Sequence, residues 1–373
     1  MLTSFALVMG IGMLVTLVLT PLVRHWCIKR GLYDLPEARR VHRIPTPRLG
    51  GIAIFGGFMS ALLASIFVSR GHPELARYPS ETLRLGLLAA GATLIWLVMT
   101  IDDLRGLPAK LRLAVQVVAA LIAVGPYLWE QQIHPGLQPG DGGARGIIAT
   151  AFNTPLFQVN FHKFWPPLAI AFTVFWIVGM TNALNWIDGL DGLAGGVTLI
   201  ASLILALHTY SLKQHSLVLL PLALAGACLG FLPYNLHPAK IFMGDGGAMV
   251  LGYILAICSI IGGAKLASAL LVLGIPLLDG AWLIIYRRWR GASATGSDRS
   301  HLHHKLHDMG LSQRQVVWFY YAISLGFGVA ALVLRDSWQK LVALVLLTAL
   351  VGTLLVVLAR RAPLTPPEPT KAE

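Results

Sequence analysis

Charge is the scarcest ingredient of this chain. Only 12% of its 373 residues are Asp, Glu, Lys or Arg, while 56% are hydrophobic; soluble domains carry about twice that charge. So few ionised side chains cannot cover so large an apolar mass, which excludes a water-soluble fold. The same arithmetic excludes disorder and a coiled coil. Cysteine is also scarce: Cys27, Cys228 and Cys258 are odd in number, far apart, and lie in or beside apolar runs. That excludes a disulfide framework and a cysteine metal site, and leaves three small packing residues. Acids are scarcer than bases, 17 against 29, for a net charge of +12. In a soluble protein this excess would suggest nucleic acid; in an apolar chain it is tested first as membrane topology.

Apolar sequence is what the chain has in quantity. A spanning helix needs about 20 mostly apolar residues, and eleven runs qualify as candidates: 4–22, 50–69, 84–101, 111–129, 164–183, 194–211, 216–235, 248–264, 266–286, 315–334 and 339–359. The expectation is an all-α, polytopic integral membrane protein with about 11 transmembrane helices. The first run lacks a basic start and a small-residue cleavage site, and so reads as a retained helix. Eleven crossings put the termini on opposite sides. On that alternation 20 of the 29 Lys and Arg fall on one side, in 23–49, 102–112, 236–247, 287–314 and 360–373, and nine on the other. The positive-inside bias makes the richer side cytoplasmic, with the N-terminus outside and the C-terminus in the cytoplasm. The net charge thus reports topology, and no nucleic-acid partner is expected. Residues 1–361 form one transmembrane domain with site-bearing cytoplasmic loops 23–49, 102–112, 184–193, 236–247 and 287–314. The Pro-rich tail, 362–373, is expected to be disordered.

Placed on this topology, the few acids become informative. Asp102 and Asp103 open the loop after the third run, in TIDDLRGLPAKLRL; Asp188 and Asp191 follow the fifth, in TNALNWIDGLDGLAGG; Asp245 precedes the eighth, in YNLHPAKIFMGDGGAMVLGY. Asp279 sits inside the ninth run. Acids beside apolar helices are costly, about 2.5–3.5 kcal/mol each near a helix centre on insertion scales. One alone reads as a helix-end cap; five on one face, beside Gly-rich breaks, read as a site. Adjacent carboxylates with the amides of Asn182 and Asn185 are hard oxygen donors, suited to Mg²⁺ or Mn²⁺. The same side carries HLHHKL, with His301, His303, His304 and Lys305, after a basic run that includes Arg299. Bases opposite carboxylates and a hard cation suit a diphosphate substrate. Taken alone, H-x-H-H also fits half of a zinc site, but no cysteine or fourth ligand stands nearby. In the first cytoplasmic loop, VHRIPTPRLGG carries Arg43 and Arg48. Two readings stand level there: a basic loop meeting anionic headgroups, or a loop fixed by Pro45 and Pro47.

PTPRLGG, DDLRGLPAKLRL, NALNWIDGLDGLAGG, PAKIFMGDGGAM and HLHHKL, in that order, resemble the polyprenyl-phosphate N-acetylhexosamine-1-phosphate transferases over about residues 40–310. HLHHKL resembles the GlcNAc-1-phosphate branch; the cell-wall branch usually shows three consecutive histidines followed by Phe-Glu. The resemblance implies a UDP-N-acetylhexosamine at the cytoplasmic face of a bacterial inner membrane. It also implies undecaprenyl phosphate as the lipid acceptor, whose phosphate attacks the β-phosphorus and releases UMP. It makes Asp245 a Mg²⁺ ligand with Asn185 as a second, and Asp102 or Asp103 the group that deprotonates or orients the lipid phosphate. Phe242 matches a position that stacks on uracil, Asn235 and Asp188 match positions that contact uridine, and Asp191, in the same DGLDG turn, is a further substrate-binding candidate. His301, His303, His304 and Arg299 would hold the diphosphate or sugar, with the histidine register open; Arg43, Arg48 and Lys110 are further substrate-binding candidates. Family members often pair, so a homodimer is open to this chain, although no residue requires one. Two alternatives stay open: a phospho-MurNAc-pentapeptide transferase or other UDP-hexosamine transferase, and a transporter of anionic lipid or solute. A transporter's relay would place its acids near the midplane, where only Asp279 lies.

Overall fold

The computed structural model describes residues 1–35, 44–130, 146–153, 158–161, 165–262, 302–334 and 336–361, with isolated positions between 270 and 282. The long apolar runs are helices, as expected: α1 (Leu2–Arg30), α2 (Gly51–Arg70), α3 (Pro79–Arg105), α4 (Ala109–Val124), α5 (Pro166–Ile187), α6 (Leu193–Ser211), α7 (His215–Asn235) and α8 (Gly244–Ile261). They are followed by the short α9 (Leu302–Asp308), then α10 (Gln313–Val333) and α11 (Ser337–Arg361). Ser312 opens α10 with a capping box, its hydroxyl accepting from Gln315 N while the Gln315 side chain accepts from Ser312 N. A 3-10 turn (Pro73–Leu75), a single helical turn (Tyr127–Glu130) and two small antiparallel pairs are also described. β1 (Tyr33–Asp34) lies on β2 (Thr46–Pro47), and β3 (Ala151–Asn153) on β4 (Gln158–Asn160).

Nine of the described helices are long and apolar enough to cross a membrane. The expected fourth span is shorter than its apolar run: α4 has 16 residues and ends at Gly125, whose φ is +55°. The expected ninth span, 266–286, lies mostly outside the described residues, as does Asp279. The helix ends correct the expectation at two points that matter. Asp102 and Asp103 belong to the last turn of α3, not to a loop, and Asp245 lies in the first turn of α8.

The two least alike helices show where the core sits. Over its spanning window α8 is 89% buried, packed among α2, α3, α5, α6 and α7, whereas α1 is 22% buried and leaves most of its surface for lipid. With lipid tails as apolar as leucine, helix association rests on close fit rather than on expelling water. Where α1 crosses α7 the fit is backbone against glycine. A Cβ on Gly226 would stand 2.2 Å from Met9 O, and one on Gly230 would stand 2.3 Å from Met13 O. The pair forms a G-x-x-x-G face against which the α1 backbone lies directly. Gly230→Leu should therefore push α1 off α7, at about 1–3 kcal/mol or more for an overpacked contact. A drop in the thermal midpoint of the detergent-purified protein would show it; an unchanged midpoint would refute the close fit.

The polar residues sort the helix ends into two sets. At one end, the C-termini of α3, α5 and α7 meet the N-termini of α4, α6 and α8. At the other, Ser216 Oγ at the start of α7 donates to Glu81 Oε2 of α3 at 2.9 Å. There too Arg84 Nε donates to Gly146 O at 3.2 Å, and Arg77 Nη2 to Ser65 Oγ at 3.0 Å. The strict alternation from α3 to α8 is what successive membrane crossings require.

Candidate active site

The first set of helix ends gathers the acids. The N-terminus of α8 leaves backbone N–H groups without intrahelical partners, and Asp103 from the end of α3 supplies them. Its carboxylate accepts from Asp245 N at 2.9 Å and Gly246 N at 3.0 Å. Asp103 thus caps α8 from another helix, with its side chain 1% exposed. A carboxylate at the negative end of its own helix is disfavoured; the positive end of α8 and a guanidinium offset that. Gly244 makes the junction possible: its φ is +72°, and a Cβ there would stand 2.5 Å from Asp103 Oδ2.

Two arginines tie the carboxylates together. Arg48 Nη2 lies 2.8 Å from Asp103 Oδ1 and 3.3 Å from Asp245 Oδ1, and its Nη1 lies 3.7 Å from Asp34 Oδ1. Arg112 Nη1 lies 3.3 Å from Asp102 Oδ2 and 3.5 Å from Asp245 Oδ2. Asp102 also accepts from Leu107 N, which closes the turn between α3 and α4. Asn185 Nδ2 donates to Asp245 Oδ1 at 3.1 Å. Asp245 is therefore the hub, and at 24% side-chain exposure it is the open carboxylate of the group. Burial alone would lower the Arg48 guanidinium, but Asp103, Asp245, Asp102 and Asp188 together raise it above its ordinary value. Asp188, just past the end of α5, is pushed well above the carboxylate range by burial and then by Asp245, with Arg48 offsetting part of this.

The described end of this loop, around Arg48, is fixed by main-chain bonds, while Arg43 lies outside the described residues. Phe242 N donates to Pro47 O (2.8 Å), Gly50 N to Phe242 O (2.9 Å) and Gly51 N to Met243 O (2.8 Å). The PTPRLGG and FMGD segments are thus knitted edge to edge, with the half-buried Phe242 beside Arg48 in sequence-distant company.

A second group stands next to the first. Asp191 Oδ2 accepts from Ala239 N at 3.1 Å and lies 2.8 Å from His237 Nδ1. Asn235, expected at the nucleotide, is 2% exposed; its Oδ1 accepts from Gly192 N (3.1 Å) and its Nδ2 donates to Ile241 O (3.0 Å). With both ends of the amide spent on the main chain, Asn235 braces the loop between α7 and α8 against the DGLDG turn. Tyr321 Oη donates to Gly192 O, and Arg314 Nη2 to His237 O at 3.1 Å, so α10 backs the same wall.

The structure thus brings together Asp102, Asp103, Asp245, Asn185, Arg48 and Asp188, with Asp191, Asn235 and Phe242 alongside. Lys110, on the first turn of α4, is exposed and stands outside the cluster. Arg43, Arg299 and His301 lie outside the described residues, as do the side chains of His303 and His304. Lys305, from the same motif, is buried, its Nζ 5.9 Å from the centre of the Trp282 ring. Sequence reasoning missed Arg112, although it is the single charged residue in the run 111–129. It also missed Asp34, which β1–β2 pairing brings to Arg48.

The arrangement presents one partly open carboxylate, Asp245, with the Asn185 amide and two guanidiniums beside it; no group of three or more His, Cys, Asp or Glu among the described residues is arranged as a complete metal site. The chain is similar along most of its length to proteins of known name. Residues 85–263 match the family model described as glycosyl transferase family 4. A Bacillus subtilis (strain 168) protein, named as a probable undecaprenyl-phosphate N-acetylglucosaminyl 1-phosphate transferase, is 34% identical over 339 residues, 89% of this chain and 86% of that one. A Mycobacterium tuberculosis decaprenyl-phosphate N-acetylglucosaminephosphotransferase is 33% identical over 346 residues, 86% of this chain and 80% of that one. A phospho-N-acetylmuramoyl-pentapeptide-transferase of Staphylococcus saprophyticus is 28% identical over 337 residues, covering 86% and 96% of the two chains.

Proposed function

The chain belongs to the polyprenyl-phosphate N-acetylhexosamine-1-phosphate transferases of glycosyl transferase family 4, and from that premise we propose that it passes N-acetylglucosamine 1-phosphate from UDP-GlcNAc to undecaprenyl phosphate. UMP leaves, and the lipid-linked sugar diphosphate starts a cell-envelope glycan. The observation that carries this is the Asp245 hub, an open carboxylate with an amide and two arginines around it. GlcNAc is the sugar favoured by the HLHHKL motif and by the names of two of the relatives.

In the reaction an oxygen of the lipid phosphate bonds to the β-phosphorus, and the bond from that phosphorus to the bridging oxygen breaks. The bridging oxygen leaves with UMP. A phosphate monoester has its second pKa near about 6 and is largely ionised at neutral pH, so the acceptor needs orientation more than deprotonation. Asp102 fits that task through Arg112, and Asp103 through Arg48: each carboxylate fixes a guanidinium whose other N–H groups would be free to meet phosphate oxygens. Attack in one displacement requires nothing further of these residues.

The donor set fits Mg²⁺ as it is bound with nucleotides, by one or two protein oxygens plus substrate phosphates and water. Asp245 supplies an accessible carboxylate, and rotation of the Asn185 amide presents its carbonyl oxygen to the same place. Bound there, the metal would neutralise the charge that shifts to the departing UMP. Mn²⁺ satisfies the same oxygens. The cytoplasmic side of a bacterial inner membrane is the face supported by the 20-to-nine division of the cations.

Membranes containing the protein, given radiolabelled UDP-GlcNAc, undecaprenyl phosphate and Mg²⁺, should yield a butanol-soluble labelled lipid and UMP. No labelled lipid with UDP-GlcNAc, together with UMP release from UDP-MurNAc-pentapeptide, would move the assignment to the cell-wall branch. Reporter fusions at residues 30, 140 and 295 should give cytoplasmic, external and cytoplasmic signals; a cytoplasmic signal from residue 140 would overturn the orientation.

A further inference from the structure

Three helices meet just inside the membrane from the Asp245 hub. Gln116 of α4 donates through Nε2 to Asn182 Oδ1 of α5 at 3.4 Å, and Asn182 Nδ2 donates back to Gln116 Oε1 at 2.6 Å. Gln116 Nε2 also lies 3.4 Å from the Met249 sulfur of α8. Asn182 Nδ2 donates in addition to Val178 O at 2.8 Å. Gln116 is 2% exposed. Asn182, which its sequence context offers as an oxygen donor for metal, is therefore occupied within the protein.

The numbering of this junction is informative. Gln116 follows Arg112 by four residues, Asn182 precedes Asn185 by three, and Met249 follows Asp245 by four. Residues three or four apart on an α-helix share one face, one turn from each other. Each helix thus gives one residue to the junction and, a turn away on the same face, one to the hub. Apolar side chains at these positions would pack in several registers. A reciprocal amide pair accepts one, because sliding α4 by a residue, about 1.5 Å, breaks both bonds where no water replaces them.

We propose that Gln116 is a positioning residue: its amide, locked to Asn182, sets the relative heights of α4, α5 and α8 so that Arg112 and Asn185 converge on Asp245. The inference rests on the proposed function for the identity of what binds there. It extends that reading to a residue that touches neither metal nor substrate. The dependent quantity is the affinity of the hub for its cation.

The test uses the full-length protein in detergent, with Mn²⁺ binding followed by the electron paramagnetic resonance of free Mn²⁺ in the presence of UDP. Gln116→Met keeps the length of the side chain and removes the amide. It is expected to weaken Mn²⁺ binding by about tenfold or more, the usual effect of losing a group that orients a metal ligand. The half-saturating Mg²⁺ for transfer should rise in step, while KM for UDP-GlcNAc at saturating metal stays within about twofold. Exchanging the amides, Gln116→Asn with Asn182→Gln, conserves their summed length and should restore binding that Gln116→Asn alone loses. That swap carries the test if Gln116→Met does not fold. Equal Mn²⁺ binding by Gln116→Met and the natural protein, or a swap no better than the single change, overturns the positioning role alone. A natural protein that binds no Mn²⁺ overturns the metal reading, and this inference with it.

Discussion

Asp245→Asn is expected to lower transfer by about 10³-fold or more, the order lost when a group aimed at transition-state charge is removed, and to leave the protein folded. The second half of that expectation follows from how α8 is capped. Asp103 bonds the main-chain N–H groups of residues 245 and 246, not the Asp245 side chain, so the cap survives the substitution. The Asp245 carboxylate is more accessible than those of Asp102 and Asp103, and an amide there leaves no buried charge unpaired. The variant should elute as a single species in detergent with a thermal midpoint near that of the natural protein. It should no longer bind Mn²⁺. Retention of both transfer and metal dependence would remove Asp245 from the centre of the site.

Arg48→Ala should be nearly as damaging, for a different reason. Its guanidinium spans Asp34, Asp103 and Asp245, and no other residue described links these three. Removing it leaves the Asp103 carboxylate buried beside other acids with only the α8 N–H groups as partners. Breaking a buried pair from one side costs about 3–5 kcal/mol. Transfer should fall by about 10²-fold or more, and the thermal midpoint should fall with it. Arg48→Lys should recover little, because a single ammonium cannot reach three carboxylates in the way a planar fork does. Adding Asp103→Asn to Arg48→Ala relieves the unpaired charge and should return part of the stability without the activity. If the double variant regains transfer, Arg48 acts only by neutralising charge and does not meet the substrate.

Much of the architecture is legible in the sequence because the membrane leaves few options: apolar runs long enough to cross become helices, and ten of the eleven runs coincide with described helices. The gathering of the acids is legible for the same reason, since alternating crossings return every second loop to one side. The helix ends are not legible to the residue. Asp102 and Asp103 stay helical, and Asp245 begins a helix, because α3 and α8 meet end to end, and a local reading cannot see a cap supplied from 142 residues away. Amides are the other blind spot. Asn182, Asn185 and Asn235 offer the same chemistry in a sequence, yet Asn185 faces Asp245 while Asn182 and Asn235 are engaged with Gln116 and with backbone. Nothing local distinguishes an amide that faces a ligand site from one that holds two helices. Arg112 was visible as a charge in an apolar run, but its value depends on the carboxylates that α3 and α8 bring to it.

The helix α3 is tied at both ends, by Asp102 and Asp103 at the site and by Glu81 and Arg84 at the far end of the bundle. A carrier needs the opposite arrangement, with one end released while the other closes. A helix moored twice by charged groups is ill suited to rocking or sliding, which fits the proposed transfer at a single membrane face better than carriage across it. Its lipid-linked product would stay on the side where it was made, and moving that sugar across the bilayer would fall to a separate machine.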